Sequence, residues 1–241
     1  MRALTFSVER WSAWAPGLAC EADWRAWCAG DAAIGEEPDR PDTGFLPAML
    51  RRRTSRVTRA ALWAAHQCGA DEGDWHTVFT SRHGELHRSH ALLRELAAAE
   101  PLSPNAFSLS VHNTASGLYS IHTGNRAPST AMAAGRDTLA AGVIEAAGRI
   151  RAGESRVLVV HADERPPEFY RPWVGDHPPV FALGLVVAAG GDWRLGRADV
   201  EAERADPAPA PPELGLVAML AGGRRSLHMP GERNDWRWER D

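Results

Sequence analysis

His161-Ala162-Asp163-Glu164 places a histidine and two carboxylates just after the apolar run Arg156–Val160. A histidine beside acids is suited to general acid–base catalysis. Ser116 or Ser129, taken with His112 or His161 and an acid such as Asp163, would complete the set for a small serine hydrolase or acyltransferase. The chain has no Gly-x-Ser-x-Gly, the turn that presents such a serine. His83, His87 and His90 are spaced like ligands, but a zinc site wants a more defined Cys/His set and a fourth group, so no metal is expected. Arg51, Arg52, Arg53, Arg56 and Arg59 form a dense basic face. Guanidinium suits phosphate and carboxylate, and the same residues would serve as a solvated face or in internal ion pairs. All 27 basic residues are arginine, which excludes a P-loop, a Schiff-base lysine and a Ser-x-x-Lys hydrolase. Cys20, Cys28 and Cys68 are odd in number and form no Cys-x-x-Cys, so they read as reduced thiols.

These residues need elements to hold them. Leu139, Val143, Ile144, Ala147 and Ile150 fall on one face at helical spacing. The tiny residues Ala131, Ala133, Ala134 and Gly135, around Met132, read as the closely packed start of that helix. Gly153 stops it, and the β-branched run Arg156–Val160 follows as a buried strand. Helix then strand points to an α/β layer. Further strands are expected at residues 3–10, Trp75–Ser81 and Val180–Ala189, the last of them antiparallel to the others and buried on both faces. Helices are expected at Asp23–Ala29, Met49–Cys68 and Leu86–Glu100. Residues 105–112 alternate Phe107, Leu109 and Val111 with polar residues and read as an extended segment. Residues 31–47 and 165–179 read as loops, and 205–212 as a stiff proline-rich linker. Leu214–Leu220 is a short apolar run. The tail Arg233–Arg240 carries Trp236 and Trp238 on one side if extended, as an edge strand or a partner-binding tail.

The 241 residues suit one large domain, and 44% hydrophobic with 24% charged residues is a globular composition. A net charge of −4 gives no nucleic-acid footprint. No apolar run is long enough to span a membrane, and the N-terminus lacks the pattern of a signal peptide. A cytoplasmic protein is expected.

Ser103-Pro104, Asn113 to Gly117, Gly124 to Pro128 and Thr130-Ala131-Met132-Ala133-Ala134-Gly135 occur in that order. This succession resembles the centre of the N-terminal half of a β-ketoacyl synthase, of the thiolase-like fold. The resemblance covers roughly residues 1 to 190. It implies a thiolase-like half with a mixed, mainly parallel sheet flanked by helices. It also divides the chain into a synthase N-terminal-like domain at 1–204 and a proline-rich linker with C-terminal tail at 205–241. Met132 stands where the family has its nucleophilic cysteine, and the spacing between Pro128 and Thr130 is shorter than the family's.

In that family the cysteine holds the acyl chain at a helix N-terminus, where the dipole lowers the thiol pKa. Two histidines and a lysine come from a C-terminal half. This chain has a thioether in place of the thiol, no lysine, and no room for that half. The resemblance therefore implies a subunit that is not an enzyme by itself and needs no cofactor. It is similar to the half-length chain-length-factor-like proteins found with aryl polyene pathways. Such a protein would pair as a heterodimer with a full-length β-ketoacyl-ACP synthase and shape its acyl tunnel. Ala106, Phe107, Leu109, Val111, Asn113, Leu118, Tyr119 and Met132 are the implied tunnel and dimer-interface residues. Arg51, Arg52, Arg53, Arg56 and Arg59 are an implied docking face for an acyl carrier protein. The hydrolase described above and a homodimeric scaffold are the alternative readings.

Overall fold

The computed structural model describes residues 3–36, 39–69, 73–174, 179–198 and 211–241. In chain order the elements are β1 (Leu4–Trp14), α1 (Glu21–Ala29), α2 (Ala48–Arg51), α3 (Arg56–Gln67), β2 (His76–Thr80), α4 (Leu86–Ala97), α5 (Pro104–Ser108), α6 (Thr114–Thr123) and β3 (Ser129–Met132). There follow α7 (Thr138–Arg151), β4 (Arg156–Glu164), α8 (Arg171–Val174), β5 (Val180–Arg197), α9 (Glu213–Gly222), β6 (Ser226–Met229) and β7 (Trp236–Arg240).

One seven-stranded sheet joins all the described strands. β3, β2 and β4 lie side by side in parallel, and β5 runs antiparallel to β4 as expected. β1 lies on the other side of β5, while β7 and then β6 extend the sheet beyond the end of β4. By these pairings β5 and β6 run one way and the other five strands run the opposite way. β5 is long because it does two jobs. Its apolar first half, buried on both faces, pairs with β4 and β1. After exposed Gly190-Gly191-Asp192 it resumes with buried Trp193 and Leu195 alternating with outward residues, and pairs with β7.

Alternation along the strands divides the core in two. Val157, Val159, Leu183, Leu185 and Val187 face α7 and α9, whereas Leu158, Val160, Ala182 and Val186 face α3 and α6. α9 is apolar all round and buried at nearly every residue, as a helix of that composition must be. It packs on α1 and β6. Gly142 lets α7 approach β2, since a Cβ there would stand 2.5 Å from the Thr80 methyl.

Four expectations are corrected. Residues 105–112 are not extended: Pro104–Ser108 is a short helix, because Ser103 accepts the Ala106 N–H as N-cap and Pro104 occupies the first turn. Ala131 does not open a helix either. Ser129–Met132 is a strand registered on Thr77–Thr80, and after a 3₁₀ turn at Gly135–Asp137 the helix begins only at Thr138. The expected helix over Met49–Cys68 is broken at Arg52–Ser55, where Ser55 caps α3 by accepting the Thr58 N–H. The tail strand β7 is interior to the sheet, with Trp236 and Trp238 buried between β5 and β6. Residues 205–210 of the expected linker lie outside the described residues.

Candidate functional site

The C-terminal ends of β2, β3 and β4 meet at one end of the sheet, where open α/β folds place their ligands. The turn after β2 is organised by a carboxylate. Asp163 accepts the Ser81 hydroxyl at 2.8 Å and the backbone N–H groups of Arg82 at 2.9 Å and His83 at 3.1 Å. Ser81 Oγ in turn accepts the Gly84 N–H at 2.7 Å, and His112 Nε2 lies 2.8 Å from the Ser81 carbonyl. His161 Nδ1 is 3.0 Å from Thr80 Oγ1, and its Nε2 is 3.5 Å from Asp163 Oδ2. Glu213, at the start of α9, is buried over the same two residues. Burial raises its pKa and Asp163 adds to that, while His161, a backbone hydrogen bond and Arg82 oppose it. Burial likewise lowers the His83 pKa, with Asp163 opposing.

This network builds a turn and assembles no nucleophile. Ser129 lies at the far end of β3 and accepts a hydrogen bond from Thr77, and Ser116 donates to the Asn113 carbonyl. Thr80 is buried, its methyl against Gly142 and its hydroxyl also 3.2 Å from the Val160 carbonyl. The nearby cavity between α3 and β2, bounded by Phe79, Glu85 and His112, holds about 30 Å³, room for water only. The three spaced histidines diverge. His83 sits in the Asp163 turn, His87 Nε2 lies 2.8 Å from the Arg165 carbonyl, and His90 packs against the rings of Phe169 and Tyr170. Among the described residues no group of His, Cys, Asp or Glu is placed to hold a metal ion.

The arginines also part company. Arg56 pairs with Glu164 at 3.2 Å, and Arg59 folds back on Thr54 and the Arg51 carbonyl. Partial burial and the nearby Arg40 and Arg51 lower the Arg59 pKa. Arg52 and Arg53 are exposed.

Met132 ends β3, its carbonyl accepting the Ser81 N–H at 3.2 Å. Its side chain is half-buried, six residues ahead of the first residue of α7. The cysteines lie elsewhere. Cys68 is buried against Ser12 of β1, where desolvation pushes its thiol up to about 11, and Cys20 and Cys28 belong to α1 and its cap. Beyond Met132 the corner is closed by the C-terminal tail. Asp137 accepts the Trp236 indole N–H at 2.6 Å and the Arg233 N–H at 3.1 Å. Gly135 has positive φ, and any Cβ there would collide with Glu232.

Ala106, Phe107 and Val111 lie on the outer surface, with Phe107 65% and Val111 45% exposed. Leu109, Leu118 and Tyr119 are buried beneath them, Tyr119 against Phe79 of β2. Asn113 precedes α6 as its N-cap.

Residues 24–239 match the family described as Beta-ketoacyl synthase, N-terminal domain. The chain belongs to that family. This β-ketoacyl synthase N-terminal domain is also similar, at 30% identity and TM-score 0.85, to a chain in the structure of the ketosynthase ApeO in complex with its chain length factor ApeC from Xenorhabdus doucetiae. The match covers 98% of this chain and 100% of that one. The ishigamide ketosynthase/chain length factor matches at 19% identity and TM-score 0.63, over 92% of this chain and 74% of that one. A type II acyl-carrier protein in complex with its ketosynthase, AntDE:AntF, matches at 14% identity and TM-score 0.60, over 81% and 70%. These last two show the fold alone. No curated protein matches the chain. Among the described residues of this synthase-family domain, no helix is long and apolar enough to cross a membrane.

Asp137 and Glu213 escaped the reading of the sequence. An acid eight residues before Glu145 on a surface-patterned helix carries no mark of burial, and Glu213 sits beside a proline-rich run. For Asp137 the available signal was its place ahead of a helix, where carboxylates cap.

Proposed function

We propose that this protein is a non-catalytic, chain-length-factor-like subunit that pairs with a full-length β-ketoacyl-ACP synthase and shapes its acyl tunnel during polyene-type elongation. The observation that carries the reading is the end of β3. A condensing enzyme needs a thiolate there. Met132 supplies a thioether, which cannot take and release an acyl group, and the chain's thiols belong to α1 and α3.

Three features support the partner. The ketosynthase–chain length factor structure matches this chain from end to end over a chain of matching length. β3 has β2 on one side and no described strand on the other, and an open edge is a ready site for pairing. Phe107 and Val111 stand bare beside α6, where Ala106 and the Asn113 cap join them. Leu109, Leu118 and Tyr119 form the floor behind them and set their height. Arg51, Arg52, Arg53, Arg56 and Arg59 offer the carrier protein a positive face, mainly through exposed Arg52 and Arg53. The cytoplasm is the compartment that fits this role.

The test is native mass spectrometry of the tagged chain purified from its own host. A one-to-one complex with a full-length synthase is expected. A monomer or homodimer with no synthase would overturn the reading. In the complex, changing the size of Phe107 is expected to shift product length, and unchanged products across several substitutions would remove it from the tunnel.

A further inference from the structure

Leu93, Leu96, Leu102, Phe107, Val111, Phe169 and Trp173 account for most of the large apolar side chains left exposed among the described residues. They sit on α4, α5 and α8 and on the segments flanking them. The rings of Phe169, Tyr170 and Trp173 pack on one another, and His90 of α4 packs against the first two, with centroids 5.7 and 5.5 Å away. His90, Leu93 and Leu96 follow one ridge of α4 at helical spacing. α4 packs on α5, with Ser89 Oγ donating to the Ser110 carbonyl at 3.3 Å. Ring contacts and the packing of α4 on α5 thus lead from Trp173, 71% exposed, through α4 to the helix that carries Phe107, 65% exposed.

We infer that the aromatic corner Phe169–Tyr170–Trp173 and the α4 ridge form a second docking face for the same synthase, continuous with the surface at Phe107 and Val111. The inference rests on the proposed pairing and extends it by the whole length of α4. Area argues for one large partner. The largest apolar patch on a monomer is about 300–600 Å², and a stable complex buries about 800 Å² per partner. Two side chains, Phe107 and Val111, fall far short of that, and the aromatic corner and the α4 leucines add to them. Composition agrees: exposed rings and leucines are interspersed with exposed Arg94, Glu168 and Arg171, and an interface joins apolar and aromatic side chains to a polar rim. Two exposed aromatic residues at the corner are suited to be anchors.

The experiment compares synthase binding by the wild-type chain, by the double variant Phe169→Ser/Trp173→Ser, by Leu93→Asp, and by Met49→Ser. Met49 is an equally bare residue, 81% exposed, on α2 outside this face. Binding is read by titration calorimetry, with circular dichroism on each variant. The double variant and Leu93→Asp are expected to weaken binding at least tenfold with the fold intact, and Met49→Ser to leave it unchanged. Hydrogen exchange of the wild-type complex is expected to slow at residues 168–174 as well as at 103–111. Binding by the double variant within twofold of wild type, without protection at 168–174, would overturn the second face and leave the pairing standing. Loss of self-association in the variants with synthase binding untouched would assign the face to a second copy and overturn the inference. No synthase binding by the wild-type chain would overturn both.

Discussion

The corner at the end of β3 and the outer surface of α4 and α5 belong to one domain and have opposite character. At the corner the buried carboxylates Asp163 and Asp137 are taken up by hydrogen bonds inside the molecule. Asp163 holds the turn after β2, Asp137 holds the tail, and Glu213, the first residue of α9, is buried. On the surface, large side chains stand in water with nothing of their own chain to cover them. The first region orders a turn and anchors the tail. The second has no structural task in the isolated chain. The contrast teaches that function in this domain is to be sought where its packing is unfinished.

Three changes would break or sharpen that contrast. Asp137→Ala has the largest expected effect. It leaves the buried Trp236 N–H without its acceptor and frees the tail, and should lower stability by about 2–3 kcal/mol in urea unfolding, without touching the outer surface. A variant as stable as wild type would show the corner to be less committed to structure than its geometry indicates. Glu213→Gln comes next. The native state holds this proton to higher pH than the unfolded chain does, so stability falls as pH rises above the ordinary carboxyl value of 4.5. The variant should gain stability at pH 7 and little at pH 4, where the carboxyl is mostly protonated in both states. A gain that is flat with pH would detach the effect from ionisation. Met132→Cys is expected to do least: no acyl adduct in intact mass after incubation with an acyl thioester, and no elongation by the chain alone. An adduct followed by elongation would return the corner to chemistry.

Much of this fold is legible in the sequence. The runs Val157–Val160 of β4 and Val180–Ala188 of β5 are apolar on both faces, and the ridge of α7 repeats at helical spacing, so local pattern and tertiary environment agree. Where they conflict, the pattern misleads. Phe107, Leu109 and Val111 alternate like a strand, yet Ser103-Pro104 starts a helical turn first. Ala131 to Gly135 look like a helix start, yet a neighbouring strand at Thr77–Thr80 claims the backbone. The order of motifs pointed to the family, and Met132 ends β3. The aromatic corner could not be read from sequence, because Phe169, on which Trp173 packs, meets His90 only through a contact across almost eighty residues.

The position of β5 in the sheet has a consequence for how the chain is made. β1 has no described strand partner but β5, and Leu4 pairs with Leu195. At a synthesis rate of about 5–20 residues per second, β1 waits on the order of ten seconds or more outside the ribosome before its partner emerges. Through that interval its apolar residues and both its edges are open to any other strand in the cell. Slower translation lengthens the exposure, so the yield of folded protein should depend on whatever shelters the nascent β1 until β5 arrives.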